Sequence, residues 1–350
     1  MAKTSAYAAP AAGKPLVPVR IDRREPGSLD VEMDVLFCGV CHSDIHQARD
    51  EWTGATFPMV PGHEIVGRVR RVGGEVTRFR PGDMAGVGCM VDSCRACDPC
   101  RHDTEQFCEA TAAYTYNGTE MDRKTPTFGG YSKRVVVAER FVLKIPAGLD
   151  PAGAAPLLCS GITTYSPLRQ WNCRPGDRVG VVGLGGLGHM AVKIATAMGA
   201  EVTVFSTSKA KEADARRLGA RAFVETRDPA IFATCAKRFD LVIDTVSAAH
   251  DYDLYLGLLR PHGVMVVVGA PPAPTPVSAF ALIGGNRRIA GSLIGGIKET
   301  QEMLDFCATH GIVSDIEIIP MERINEAYER MLRADVRYRF VVDLATLRDA

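Results

Sequence analysis

The stretch Val31-Glu-Met-Asp-Val-Leu-Phe37 alternates apolar and polar residues. A period of two is that of a strand with one face buried. Glu64 to Val72 and Gly130 to Val137 read the same way. Glycine and proline interrupt the pattern at Gly73-Gly74, Pro81-Gly82 and Gly129-Gly130, where turns are expected. Up to about residue 150 the chain is therefore predicted to be a domain of short strands rather than a helical bundle.

From about residue 160 the pattern changes. Arg178 to Gly183 is a short apolar run, a buried strand, and His189 to Met198 has the spacing and the residue types of a helix. Strands are then expected at Glu201–Phe205, Ala222–Val224, Phe239–Asp244 and Gly263–Val268, with helices at Lys209–Leu218, Pro229–Ala236 and Asp251–Leu259 between them. Such alternation predicts a doubly wound parallel sheet. Pro271 to Pro276 reads as a stiff loop. Arg288 to Ile294 resembles a last sheet strand, and Lys298 to His310 a helix. Ile316–Ile319, Ile324–Leu332 and Tyr338–Val342 read as strand, helix and strand.

Charge and composition exclude some partners. Lys plus Arg and Asp plus Glu are each 41, so the formal net charge is zero, which argues against nucleic acid and against a polybasic membrane binder. No apolar run reaches the length of a membrane span, and the N-terminal stretch lacks the apolar core of a signal peptide. A cytosolic protein is expected. The 11 cysteines then read as metal ligands or buried thiols rather than disulfides.

Ligand-type residues crowd the segment Cys38 to Glu64. Cys38, Cys41, His42 and His46 are followed by His63 and Glu64, with Ser43 and Asp44 between them. Thiolate and imidazole together suit zinc, and a catalytic zinc takes three protein ligands to leave a fourth position open. The third ligand must come from far along the chain, and Cys159 is the candidate. Ser43 can donate and accept a proton, and Asp44 can fix a histidine tautomer. A second cluster, Cys94, Cys97, Cys100 and Cys108, has the C-x2-C-x2-C-x7-C spacing of a closed, structural four-cysteine zinc site. An iron–sulfur cluster is the alternative for such a run. Cys89, Cys173, Cys235 and Cys307 lack ligand spacing and read as packing residues; His102, His250, His262 and His310 read as surface or capping groups.

Gly183-Leu-Gly185-Gly186-Leu187-Gly188 is a G-x-G-x-x-G fingerprint between a predicted strand and a predicted helix. In that context the glycines let the backbone approach a pyrophosphate at the helix N-terminus. An acidic residue at the end of the second strand would bind the ribose hydroxyls of NAD. Here the strand runs into Ser206, Thr207 and Ser208, with Lys209 and Lys211 following. Hydroxyls and cations suit a 2′-phosphate, so NADP is favoured, and the serines can also cap the next helix.

These motifs together resemble the zinc-dependent medium-chain dehydrogenase/reductase family. Gly62-His-Glu64, the four-cysteine lobe and the glycine fingerprint carry the likeness from about residue 20 to 345. Cys38-Gly-Val-Cys-His-Ser-Asp44, the segment 161–168 and Gly295-Gly-Ile-Lys-Glu-Thr300 look like the cinnamyl alcohol dehydrogenase branch, especially bacterial NADP-dependent broad-specificity aldehyde reductases. The resemblance implies a GroES-like, β-rich catalytic domain over 1–158 and 296–350 and a Rossmann NADP-binding domain over 159–295. It implies Cys41, His63 and Cys159 as catalytic zinc ligands, Glu64 as a displaceable carboxylate and Asp44 as the partner of His63. Ser43 and His46 match a proton relay. Thr163, Val268, Gly269 and Ala270 match positions near the nicotinamide, and Arg339 a pyrophosphate contact. Trp52, Met90 and Ala113 match the substrate cleft. The implied activity is reversible hydride transfer between NADPH and aldehydes, in a homodimer holding two zinc ions per chain. A polyol or secondary-alcohol dehydrogenase is the nearest alternative, and a non-catalytic nucleotide-binding protein a more distant one.

Overall fold

A computed structural model describes residues 2–271 and 273–348. Pro272, inside the expected stiff loop, lies outside the described residues. The chain forms two compact units, Met1–Cys159 with Gly295–Ala350, and Ser160–Ile294. Cys159 thus belongs to the first unit and is its last residue before the second begins.

The first unit is built on a seven-stranded sheet. Its central strand, Asp30–Gly39, pairs antiparallel with Ile65–Val72, Arg134–Ala138 and Arg339–Asp343. The register sets Cys38 opposite both Ile65 and Val342. Residues just beyond these pairs, Cys41, Glu64 and Arg339, are thereby delivered to one end of the sheet. The strand expected from Gly130 begins only at Arg134. Before it, the amides of Gly129, Gly130 and Tyr131 donate to Val60, Gly62 and Pro61. That stretch therefore braces the loop before His63 instead of extending the sheet.

The second unit contains six parallel strands: β1 Arg178–Val182, β2 Glu201–Ser206, β3 Ala222–Glu225, β4 Phe239–Asp244, β5 Leu259–Val267 and β6 Arg288–Gly291. Their order is β3-β2-β1-β4-β5-β6. This is the doubly wound dinucleotide-binding order, in which the chain reverses direction across the sheet beside β1. One face is packed by Phe205, Phe232, Phe239, Tyr255, Leu256 and Met265. Burying each such side chain stabilises the unit by about 1.5–3 kcal/mol. Phe205 meets Phe239 edge-on at 5.4 Å, and Phe232 meets Tyr255 the same way at 5.0 Å. The expected helix 229–236 is only Ile231–Cys235, and β6 stops at Gly291 rather than 294.

Candidate active site

In the first unit Cys41 follows the central strand and caps the short helix His42–Ala48. Asp44, three residues on, accepts the Cys41 amide at 2.9 Å, which fixes the thiol at the mouth of the helix. His63 and Glu64 precede the neighbouring strand, and Cys159 ends a short 3₁₀ turn, Ala155–Leu158. Ligand atoms of Cys41, His63, Glu64 and Cys159 lie within 4.8 Å of one another, and all four residues are buried. The two sulfurs are 4.0 Å apart. Two sulfurs of a tetrahedral site with bonds of about 2.3 Å stand about 3.8 Å apart, so this donor set fits zinc.

The electrostatics agree with that fit. A hydrogen bond from the Cys159 thiol, helped by Arg339 and His63, outweighs burial and holds the Cys41 thiol well below its ordinary range. Sharing with Cys41 and Cys89, and burial, push the Cys159 thiol up. The pair therefore shares one proton, which a bound metal would displace. Burial pushes the Glu64 carboxyl up to about 8 against the pull of Arg339. Glu64 gives Oε1 to Arg339, while its buried Oε2 has no protein partner. An orphaned carboxylate oxygen beside two thiols and an imidazole is what a metal-facing group presents.

His63 turns Nδ1 to Asp44 Oδ1 at 3.2 Å. Burial opposes a charge on the ring, but Cys89, Asp44 and Cys41 outweigh it and hold the imidazole well above its ordinary range. With Nδ1–H committed to Asp44, Nε2 is the nitrogen left to bind metal. Asp44 is fully buried and also accepts the Gly62 amide at 3.1 Å and the Tyr131 hydroxyl at 3.2 Å. Tyr116 stacks on the His63 ring at 5.7 Å. Neither tyrosine stands out in the sequence; both reach the site through tertiary packing.

The Ser43 hydroxyl lies 3.6 Å from the Cys41 sulfur. His46 turns Nδ1 to Glu51 Oε2 at 2.5 Å and stacks on Trp52 at 4.9 Å. Trp52 is exposed, whereas Met90 and Ala113 are buried, on strands Met90–Asp92 and Ala113–Tyr114 that pair with each other. Arg339, expected at a pyrophosphate, has another partner: its buried guanidinium pairs with Glu64. Cys89, expected to be a packing residue, turns its thiol to Leu158 O at 4.0 Å and acts electrostatically on Cys159 and His63. Its spacing gave no signal, because it arrives from a different strand turn.

Cys94, Cys97, Cys100 and Cys108 also converge within 4.8 Å, with Cys94 and Cys100 sulfurs 3.9 Å apart. The Cys97 amide donates to Cys94 Sγ at 3.3 Å and the Cys94 amide to Cys108 Sγ at 3.4 Å. Such bonds favour thiolates: the amides of Ala96 and Cys97 bring the Cys94 thiol down to about 6. Four sulfurs and no open side fit a closed zinc site. The lobe is tied to helix Ile297–Thr309 of the same unit, whose first amide donates to Glu105 Oε2 at 3.2 Å.

In the second unit β1 runs into the glycine turn and helix Gly188–Ala197. Gly183 has φ +86°, and a Cβ on Gly188 would lie 2.1 Å from the Gly183 carbonyl oxygen. Side chains at either position would open the turn. Gly185, Gly186 and Leu187 form its tip, where a Cβ on Gly185 would meet nothing. Lys211 reaches back to this turn, its Nζ donating to Leu184 O at 2.8 Å. Ser206 is buried at the end of β2 and accepts the Ser208 amide at 3.3 Å. Thr207 is exposed, and its carbonyl accepts Arg227 Nε at 2.9 Å, a cation the sequence did not single out. Thr163 is buried in helix Ser160–Gln170. Val268 and Ala270 follow β5. His250, expected at the surface or on a cap, instead lies against the buried Asp244.

Residues 27–147 match the alcohol dehydrogenase GroES-like domain, and residues 186–309 the zinc-binding dehydrogenase family. The chain is 55% identical over 349 residues to the NADP-dependent alcohol dehydrogenase C 1 of Mycolicibacterium smegmatis, covering 99% of this chain and 100% of that one. It is 54% identical over 349 residues to the aldehyde reductase YahK of Escherichia coli, with the same coverage. Among solved structures, a cinnamyl alcohol dehydrogenase of Sorghum bicolor superposes with a TM-score of 0.97 at 46% identity, over 100% of both chains. The CAD of Helicobacter pylori complexed with NADP(H) gives 0.93 at 42% identity, over 99% of both. With its ligand sets, its dinucleotide turn and these likenesses, the chain belongs to the zinc-binding alcohol dehydrogenase family.

Proposed function

We propose that this protein is an NADP-dependent alcohol dehydrogenase working mainly as an aldehyde reductase, giving primary alcohols from aliphatic and aromatic aldehydes. The observation that carries the reading is the open donor set, Cys41, His63 and Cys159, with Glu64 beside it. Zinc bound by these residues supplies a Lewis acid for the carbonyl oxygen. Ser43, next to Cys41, gives that oxygen its proton, and His46 resupplies Ser43 with Glu51 behind it. Asp44 keeps His63 in the tautomer that binds through Nε2. The glycine turn receives the pyrophosphate, and Ser206, Thr207, Ser208 and Lys211 the 2′-phosphate. Thr163, Val268 and Ala270 flank the nicotinamide, and Trp52, Met90 and Ala113 line the substrate cleft. The NADP-dependent and aldehyde-reducing relatives support this choice. Initial rates on a panel of aliphatic and aromatic aldehydes, with NADPH and NADH in parallel, test it. Fast aldehyde reduction with NADPH is expected; NADH-linked oxidation of polyols as the dominant activity would overturn it.

We further propose two zinc ions per chain, one at each thiol cluster, and a cytosolic homodimer. Among the described residues no cysteine is joined in a disulfide, which suits a reducing compartment. Among the described residues no helix is long and apolar enough to cross a membrane. The edge strand β6 and the exposed Phe280 and Ile283 offer a face for a second copy. Light scattering of Phe280→Asp beside the wild type tests the dimer: a shift toward monomer is expected.

A further inference from the structure

The turn after β4 is wedged between the two segments that hold the dinucleotide. Asp244, the last residue of β4, is fully buried. Its carbonyl accepts the amides of Val268 at 2.9 Å and Gly269 at 3.0 Å, and so fixes the chain leaving β5. Its Oδ1 accepts the Val246 amide at 3.1 Å. Thr245 Oγ1 donates to Val182 O at 2.7 Å, at the entrance to the glycine turn. The Val246 backbone is so close to Gly269 that a Cβ there would lie 2.4 Å from its carbonyl oxygen. On the other side the Val246 side chain would meet a Cβ on Gly183 at 2.8 Å. Ser247 Oγ accepts the Ala270 amide at 3.3 Å. The shape of residues 245–247 therefore sets the spacing between the glycine turn and the 268–270 segment.

His250 closes this turn. Its Nε2 is 3.1 Å from Asp244 Oδ2, and its Nδ1 is 2.8 Å from the Ala248 carbonyl oxygen. Both partners are acceptors, and a neutral imidazole has only one N–H. Only the imidazolium satisfies both. The buried carboxylate in turn needs a cation, since a single amide is weak compensation for a charge held away from water. Tyr252 and Tyr255 face the ring edge-on at 5.0 and 5.4 Å, and Asp251 adds a second negative charge nearby. Burial opposes the charge on His250, but the bonds to Asp244 and Ala248 and the field of both carboxylates outweigh it and raise its pKa.

We propose that Asp244 and His250 form a positioning device for the dinucleotide: charged His250 holds the 245–247 turn in the shape that binds NADP(H), and its neutralisation weakens that binding without altering the chemical step. The proposal rests on reading this unit as the NADP(H)-binding one. The sign follows from linkage. A histidine whose folded pKa is raised contributes in full below its ordinary value of about 6.5, and that contribution is lost as pH rises through the folded value. Affinity for NADP(H) should fall on the alkaline side.

The test is NADPH affinity by fluorescence titration of the zinc-loaded protein at about pH 6.5 and about pH 9, for wild type, His250→Gln and Asp244→Asn, with thermal melts and saturating-cofactor kinetics alongside. Both variants should bind NADPH about tenfold more weakly at the lower pH, as expected for losing a charged hydrogen bond. They should converge on the wild type at the higher pH, with kcat changed less than about twofold. Variants that bind like the wild type at both pH values, or that are weaker by the same factor at both, overturn the proposal. So does failure of both variants to fold at the lower pH, which would make the pair a requirement of the fold. A wild type that does not bind NADPH would instead defeat the reading of the unit itself, and the proposal with it.

Discussion

Arg339 and Glu64 are separated by 275 positions in the chain and form an ion pair with side-chain exposures of 3% and 0%. The guanidinium is held there by the pairing of Arg339–Asp343 with the strand that feeds Cys41. Where Glu64 is ionised, above about pH 8, removing the guanidinium alone leaves a buried carboxylate without its cation. Arg339→Met should therefore cost about 3–5 kcal/mol and lower the melting temperature, and Glu64→Gln added to it should recover part of the loss. Thermal melts of the single and double variants measure this; additive losses would show that the two groups do not act as a pair.

Zinc affinity at the catalytic ligands should depend on Asp44. Asp44→Asn replaces one of the acceptor oxygens that serve His63 Nδ1, the Cys41 and Gly62 amides and the Tyr131 hydroxyl. A loss of about 10–100-fold in zinc affinity is expected, read by competition with a chelator. Tyr131→Phe removes one donor only and should cost less. An Asp44→Asn protein that holds zinc like the wild type would refute the role given to Asp44.

The two thiol clusters should separate stability from turnover. Cys94→Ser should reduce zinc from two per chain to one and lower the melting temperature, since a closed site contributes folding energy. Cys159→Ser should abolish turnover in a folded protein that still binds NADPH. Metal analysis finding one zinc in the wild type, or an active Cys159→Ser enzyme, would count against the assignment.

The proton path predicts unequal losses. Ser43→Ala should cost far more than His46→Gln if, as proposed, Ser43 meets the substrate oxygen and water can partly replace His46. The second variant should slow turnover about tenfold and alter its pH profile. An unchanged profile with a lowered melting temperature would mean that His46, stacked on Trp52, only packs the loop.

Cofactor choice should respond to the end of β2. Ser206→Asp places a carboxylate beside a 2′-phosphate, and like charges this close cost on the order of 1 kcal/mol or more. NADPH efficiency should fall relative to NADH. Equal wild-type efficiency with both cofactors would show that the strand end does not read the phosphate.

What could be read from the chain alone was what short spacing encodes. The β1-turn-helix unit lies in one stretch, and so do Cys41 with Asp44 and the four-cysteine lobe. Alternation exposed the strands, because a half-buried strand repeats every two residues. It failed at Gly130, where the backbone bonds to Val60–Gly62 and no side-chain pattern reports that. Tyr116, Tyr131 and Glu51 escaped notice, and Cys89 read as a packing residue, because nothing in their own neighbourhood marks them as partners of the site. His250 looked like a surface histidine because Asp244, six residues away, becomes its partner only when the turn folds back.

The order in which the strands are made has its own consequence. Asp30–Gly39 leaves the ribosome long before Arg339–Asp343, its partner in the sheet. At about 5–20 residues per second the wait is on the order of tens of seconds. Ser160–Ile294 is made in one continuous stretch during that interval. The nucleotide-binding unit can therefore be finished while the cysteines of the metal-binding unit still stand in a sheet with a gap, open to whatever metal the cell offers first.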